Sequence, residues 1–122
     1  MSDVKSTVQD ELFALATHLP PRDALSAVPP SRSAEIVRAL HAIRDTICPQ
    51  SDKIARAATT LGGQFAITII DIALCAALRI DIPPVKVCEL IVHVGIHRFC
   101  QSPAVILEEA ERSDQGPSTP PT

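Results

Sequence analysis

The predicted fold depends on residues 51–80, which read SDKIARAATTLGGQFAITIIDIALCAALRI. The stretch contains no proline. Ser51 suits the N-cap of a helix, and Asp52 would place a negative charge at the positive end of the helix dipole. We therefore expect one helix over residues 51–80, roughly 40 Å long. Most of its surface is apolar, so other helices must cover it on most sides.

Proline pairs and apolar periodicity predict helices on both sides of this stretch. Residues 32–47 carry isoleucine and leucine on one face, and residues 3–18 have a similar stripe. The sequence Asp81-Ile82-Pro83-Pro84 ends the long helix, and a further helix is expected from Pro84 to Phe99. The predicted class is all-α, with a helix, a long helix and a helix in series.

The proline pairs at 20–21 and 29–30 also suggest the domain boundaries. We expect an N-terminal helical arm over residues 1–30, in which 22–28 form a short helical segment. A helical domain follows over 31–102, then a short C-terminal helix over 103–112. Residues 113–122 have the composition of a disordered tail.

Composition restricts the classes of function. The chain is 46% hydrophobic but only 2% aromatic, so the core should be aliphatic. A net charge of −3 disfavours strong sequence-independent binding to DNA, leaving weak or indirect contact with nucleic acid. Four cysteines without CxxC spacing, behind a polar N-terminus, predict reduced thiols in an intracellular protein. Charged residues within 61–80 argue against a membrane span.

Two polar stripes are candidate sites of chemistry. His93 and His97 lie one helical turn apart, with Glu89 and Cys100 on the same predicted face. Histidines at this spacing can bind zinc, but four groups on one straight helix cannot close a tetrahedron. A second stripe holds Asp71 and Cys75 without a histidine placed to activate the thiol. We expect solvated faces here, with no metal, no cofactor and no catalytic residue.

The order and lengths of the helices over residues 33–99 resemble the histone-fold family. The residues that carry the resemblance are Ser51 after the first loop, Phe65, Ala73 and Ala77 along the long helix, and the junction IPPVKV at 82–87. The likeness is greater to histone-fold subunits of TFIID-associated or centromere complexes than to nucleosomal histones, because the basic second-loop motif is absent.

A central helix of this length cannot be covered by one small chain, which argues for an obligate dimer. The resemblance implies a non-enzymatic subunit that forms a hetero- or homodimer with another helical, histone-fold subunit. It would act through protein–protein interaction in a nuclear transcription or chromatin complex. The predicted contact residues are Phe65, Ile69, Ile72, Ala73, Ala76, Leu90, Ile91 and Val94.

Two alternatives remain open at this point. One is a small helical regulator, bacterial or phage-encoded and cytoplasmic, that binds and sequesters another protein. The other is a metal- or thiol-dependent helical protein that uses His93, His97 and Cys100.

Overall fold

The described part of the chain is entirely helical. The computed structural model describes residues 4–19 and 31–114. The helices are α1 (Val4–Ala16), α2 (Arg32–Ile47), α3 (Ser51–Thr60), α4 (Gly63–Leu78), α5 (Val85–Val94), α6 (Ile96–Gln101) and α7 (Val105–Asp114), with a 3₁₀ turn at Cys48–Gln50. The predicted all-α class is confirmed. The segment 22–28 and nearly all of the tail lie outside the described residues.

The prediction of one helix over residues 51–80 is wrong, because the chain turns at Gly62. The amide of Leu61 still donates to the carbonyl of Ala57 at 2.8 Å, which closes α3. Gly62 then adopts a φ of +101°, which L side chains rarely adopt. Its carbonyl accepts from the amide of Ala66 at 3.2 Å, which opens α4. The long central helix on which the histone-fold resemblance depends is therefore two helices packed against each other.

A second glycine divides the helix predicted over residues 84–99. Gly95 has a φ of +102° and separates α5 from α6. Its amide donates to the carbonyl of Ile91, and its carbonyl accepts from the amide of Phe99, both at 3.0 Å. The two helices thus share Gly95 as a turning point in the backbone path, although each keeps its own hydrogen bonds.

The N-terminal helix belongs to the core, so the prediction of a separable arm over residues 1–30 is wrong for α1. Val8, Leu12, Leu15 and Ala16 are buried, and α1 packs against α2, α5 and α7. The amphipathic stripe read from the sequence explains this burial, since its apolar residues need a cover. Helix α1 ends at Ala16 and is packed within the fold.

Glu11 of α1 caps the N-terminus of α5. Its carboxylate accepts hydrogen bonds from the backbone N–H groups of Lys86 (3.2 Å) and Val87 (2.9 Å). The first amides of a helix have no partner within it, so this side chain supplies what the helix lacks. Burial raises the pKa of Glu11, and the two backbone hydrogen bonds lower it by less.

Replacement of Glu11 by alanine should lower the free energy of unfolding by about 1–3 kcal/mol, because two amides lose their acceptor. The variant Glu11→Gln removes the negative charge of this side chain but keeps its shape. Since the folded pKa is raised, the contribution of Glu11 is complete below its ordinary pKa and is lost as the pH rises through the folded value. The stability of the native chain relative to Glu11→Gln should therefore fall as the pH rises from below the ordinary pKa of a glutamate to above the raised pKa of Glu11. Urea unfolding at both ends of this range checks the sign, and a relative gain with rising pH would contradict it.

The break between α3 and α4 at Gly62 can be tested by alanine substitution. Gly62→Ala should cost about 1–3 kcal/mol of unfolding free energy, because alanine is strained at this positive φ. Gly63→Ala is the matched control, since Gly63 is helical and its added Cβ would lie 3.4 Å from Cγ1 of Val92, an ordinary contact. We expect a change within about 0.5 kcal/mol there. If 51–80 were one helix, both changes would stabilise the chain by up to about 1 kcal/mol, and urea unfolding followed by circular dichroism distinguishes the two results.

The prediction of four reduced thiols is also wrong in this structure. Cys48 and Cys100 form a disulfide that joins the 3₁₀ turn after α2 to α6, across 52 residues of sequence. Cys75 and Cys88 are free. The bond holds the six-residue helix α6 against the junction of α2 and α3.

Candidate partner-binding site

Helix α4 is packed on one side only. Ala66, Ile70 and Leu74 are fully buried and form a stripe at every fourth residue that faces the core. On the opposite side, 50% of Phe65 and 64% of Ile72 are exposed. The packing of this chain therefore leaves at least half of each of these two large apolar side chains exposed.

Five of the eight predicted contact residues lie on this outer side, and we call them the outer face of α4. The five are Phe65, Ile69, Ile72, Ala73 and Ala76. Their spacing of three and four residues places them along one side of a helix. Phe65, Ile72 and Ala76 are exposed, whereas Ile69 and Ala73 are partly buried at the edge.

The outer face of α4 carries no charge. Asp71 is the only charged residue in the helix, and its side chain lies towards α5, where Cys88 is its hydrogen-bonding neighbour. Exposed apolar residues also stand at the two ends of α4, since Leu61 is 63% exposed and Ile82 is 83% exposed. Leu61 precedes the turn at Gly62, whereas Ile82 lies in the loop beyond α4 and lines a groove with Glu11 and Leu15 of α1.

The predicted contact residues on α5 are placed differently. Leu90 is 7% exposed and Ile91 is fully buried, so both pack in the core of this chain. Val94 is partly buried and lines a groove of about 380 Å³ between α3 and the α5–α6 junction. The sequence could not separate these positions, because apolar residues occupy nearly every side of residues 85–94.

The polar residues of α4 do not form an activated thiol. Burial, followed by the hydrogen bond with Asp71, raises the pKa of the Cys88 thiol far above its ordinary range. Burial and the charges of Asp71 and Asp81 also raise the pKa of Cys75. Oδ1 of Asp71 is buried without a hydrogen-bond partner among the described residues. Since the thiolate is the nucleophilic form, both shifts oppose thiol chemistry.

Each of the candidate metal ligands has another partner in the structure. His93 lies 3.4 Å from a carboxylate oxygen of Glu109, and His97 lies 3.7 Å from one of Asp52. Cys100 is bonded to Cys48 and has no free thiolate to offer. Within residues 4–19 and 31–114, no three histidine, cysteine or acidic side chains converge as a metal site would require.

No helix in the described ranges combines the length and the hydropathy that a membrane crossing requires. Comparison of the chain with family models, with curated proteins and with solved structures found no match.

Proposed function

We propose that this chain is a non-enzymatic interaction protein that binds a partner through the outer face of α4. The observation that carries the proposal is the half-exposure of Phe65 and Ile72 on an uncharged helix face whose opposite side is fully packed. Contiguous apolar patches on a folded surface commonly mark sites of protein association. Depletion of charge with retention of an aromatic residue is typical of the centre of such interfaces.

The energetic gain from a partner would be concentrated in a few residues. Complete burial of a large apolar side chain is worth about 1.5–3 kcal/mol, so Phe65 and Ile72 would each contribute about half of that. Neither Cys75 nor Cys88 supports the alternative of a thiol-dependent protein, because both pKa values are raised. For the metal-dependent alternative, Cys100 offers no thiolate ligand because it is bonded to Cys48.

The narrower proposal is a histone-fold subunit of a nuclear transcription or chromatin complex. It now requires α3 and α4 to join into one helix when the partner binds, with Gly62 moving to helical angles. Such a change would raise the helix content of the complex above the sum of its components. A small regulator that sequesters another protein would use the same outer face without this rearrangement.

Photo-crosslinking tests the broader proposal. Replacement of Ile72 by p-benzoylphenylalanine in the full chain should give discrete adducts in cells that produce the protein. The same amino acid at His41, which is exposed on α2, is the matched control. A further Phe65→Glu change should remove the adducts from position 72, because a buried unpaired charge opposes docking. Equal adduct patterns from positions 41 and 72 would overturn the proposal.

A further inference from the structure

We infer that the outer face of α4 pairs with the same face of a second copy of this chain, with the two α4 helices antiparallel. This inference rests on the proposed function, because it names the partner of the surface already described. The order of the residues along the outer face of α4 allows it to pair with an identical face.

Four of the five residues of the face are arranged symmetrically about the midpoint between residues 70 and 71, and the fifth, Ala73, corresponds to Thr68. Phe65 and Ala76 lie at equal distances from this midpoint, as do Ile69 and Ile72. A two-fold axis through the midpoint would therefore place Phe65 of each copy opposite Ala76 of the other. Ile69 of each copy would lie opposite Ile72 of the other, which satisfies the requirement that a two-fold interface be built from one self-complementary patch.

The sizes of the paired side chains agree with this arrangement. A large ring opposite a methyl group at both ends, with two branched aliphatic pairs between them, fills the seam evenly along its length. A parallel pair would instead put Phe65 against Phe65 at one end and Ala76 against Ala76 at the other. That arrangement would be crowded at one end and hollow at the other.

Electrostatics also favours a second copy of the same face. The five residues of the outer face are uncharged, and the single acid of α4 lies on the α5 side. Self-pairing therefore brings no like charges together. The antiparallel order additionally sets the positive end of each helix dipole beside the negative end of the other.

The available area indicates a weak dimer. Half-burial of a large side chain removes about 100 Å² from solvent, so Phe65 and Ile72 of both copies would supply about 400 Å². The smaller residues of the face add to this area but leave the total below the roughly 1,200 Å² of a stable interface. We therefore expect a weak monomer–dimer equilibrium and not an obligate dimer.

Sedimentation equilibrium of the full chain between about 1 and about 200 µM tests the inference. The native chain should pass from monomer to dimer, and Phe65→Glu should raise the dissociation constant by at least about tenfold. Adding Ala76→Lys to Phe65→Glu should recover association, because the carboxylate introduced at position 65 of one copy would then face the ammonium group introduced at position 76 of the other. In a parallel pair the same double change would oppose like charges and weaken association further. His41→Glu on α2 is the control, and circular dichroism verifies that each variant is folded.

The possible failures are distinguishable. A native chain that stays monomeric at about 200 µM while position 72 still crosslinks to a different protein would overturn self-pairing and leave the proposed function standing. If the adducts from position 72 do not differ from those from position 41, both the self-pairing and the proposed function are overturned. Dimers that are unaffected by Phe65→Glu, or that lose further affinity in the double variant, would overturn the antiparallel arrangement.

Discussion

Replacement of Cys48 and Cys100 by serine should lower the free energy of unfolding by about 4 kcal/mol. The disulfide closes a loop with a sequence separation of 52, and loop-closure entropy for a loop of that size gives about 4 kcal/mol. The loss is large against a typical domain stability of roughly 5–15 kcal/mol. The bond also joins α6, a helix of only six residues, to the turn between α2 and α3.

The measurement is urea unfolding of the double variant under non-reducing conditions. Cys75→Ser is the matched control, since Cys75 is a partly buried thiol without a disulfide, and we expect a change of less than about 1 kcal/mol there. Dithiothreitol should lower the stability of the native chain by about as much as the double substitution does. A reductant-insensitive native chain, or a double variant as stable as its parent, would contradict the stabilising role of the bond.

The same bond bears on where the chain acts. Disulfides persist in oxidising compartments, whereas nuclear and cytoplasmic thiols are kept reduced. Alkylation of intact cells before lysis would leave Cys48 and Cys100 unmodified in the first case and would label both in the second. The nuclear proposal therefore predicts that Cys48 and Cys100 are both labelled, and the bonded form predicts that neither is.

Local sequence predicts the positions and buried faces of α1 and α2, because those depend on apolar periodicity. The stripe that includes Leu12 and Leu15 marks the buried side of α1, and Ile36, Leu40 and Ile43 mark that of α2. What the sequence cannot supply is the path between helices. The proline pairs favour a domain boundary after α1, although the buried side of α1 requires a cover in the same fold.

The helix breaks at Gly62 and Gly95 were also not predicted, because the backbone angles of a glycine cannot be read from the local sequence. Within one continuous helix, Gly62-Gly63 is a weakness of about 1 kcal/mol per residue, which is the cost of glycine at helical angles. Gly62 instead has a φ of +101°. At this angle glycine is more favourable than other residues, because L side chains are strained there. Gly95 repeats the pattern between α5 and α6.

Pairing of residues distant in sequence is beyond local reasoning altogether. Cys48 and Cys100 meet only because α6 packs beside the turn that follows α2, and Glu11 reaches α5 across 75 residues of sequence. For the candidate site, the uncharged side of α4 could be predicted from its composition. Which side of α5 is buried could not, because that helix is apolar nearly all round.

A comparison of Ile91→Ala with Ile72→Ala should separate core from surface among the predicted contact residues. Ile91 is fully buried, so its truncation removes apolar contacts and leaves a cavity, at a cost of about 2–5 kcal/mol of unfolding free energy. Ile72 is 64% exposed, so its truncation should change the stability of the monomer by no more than about 0.5 kcal/mol. The two changes delete the same atoms, which makes each the control for the other.

Urea unfolding should be measured well below the concentrations at which the chain associates, because association would add its own free energy to the Ile72 comparison. Association itself should show the opposite ranking, with Ile72→Ala weakening partner binding and Ile91→Ala acting only through unfolding. Equal losses of stability in the two variants would mean that the outer side of α4 is covered within the chain, and the partner-binding proposal would fall with it.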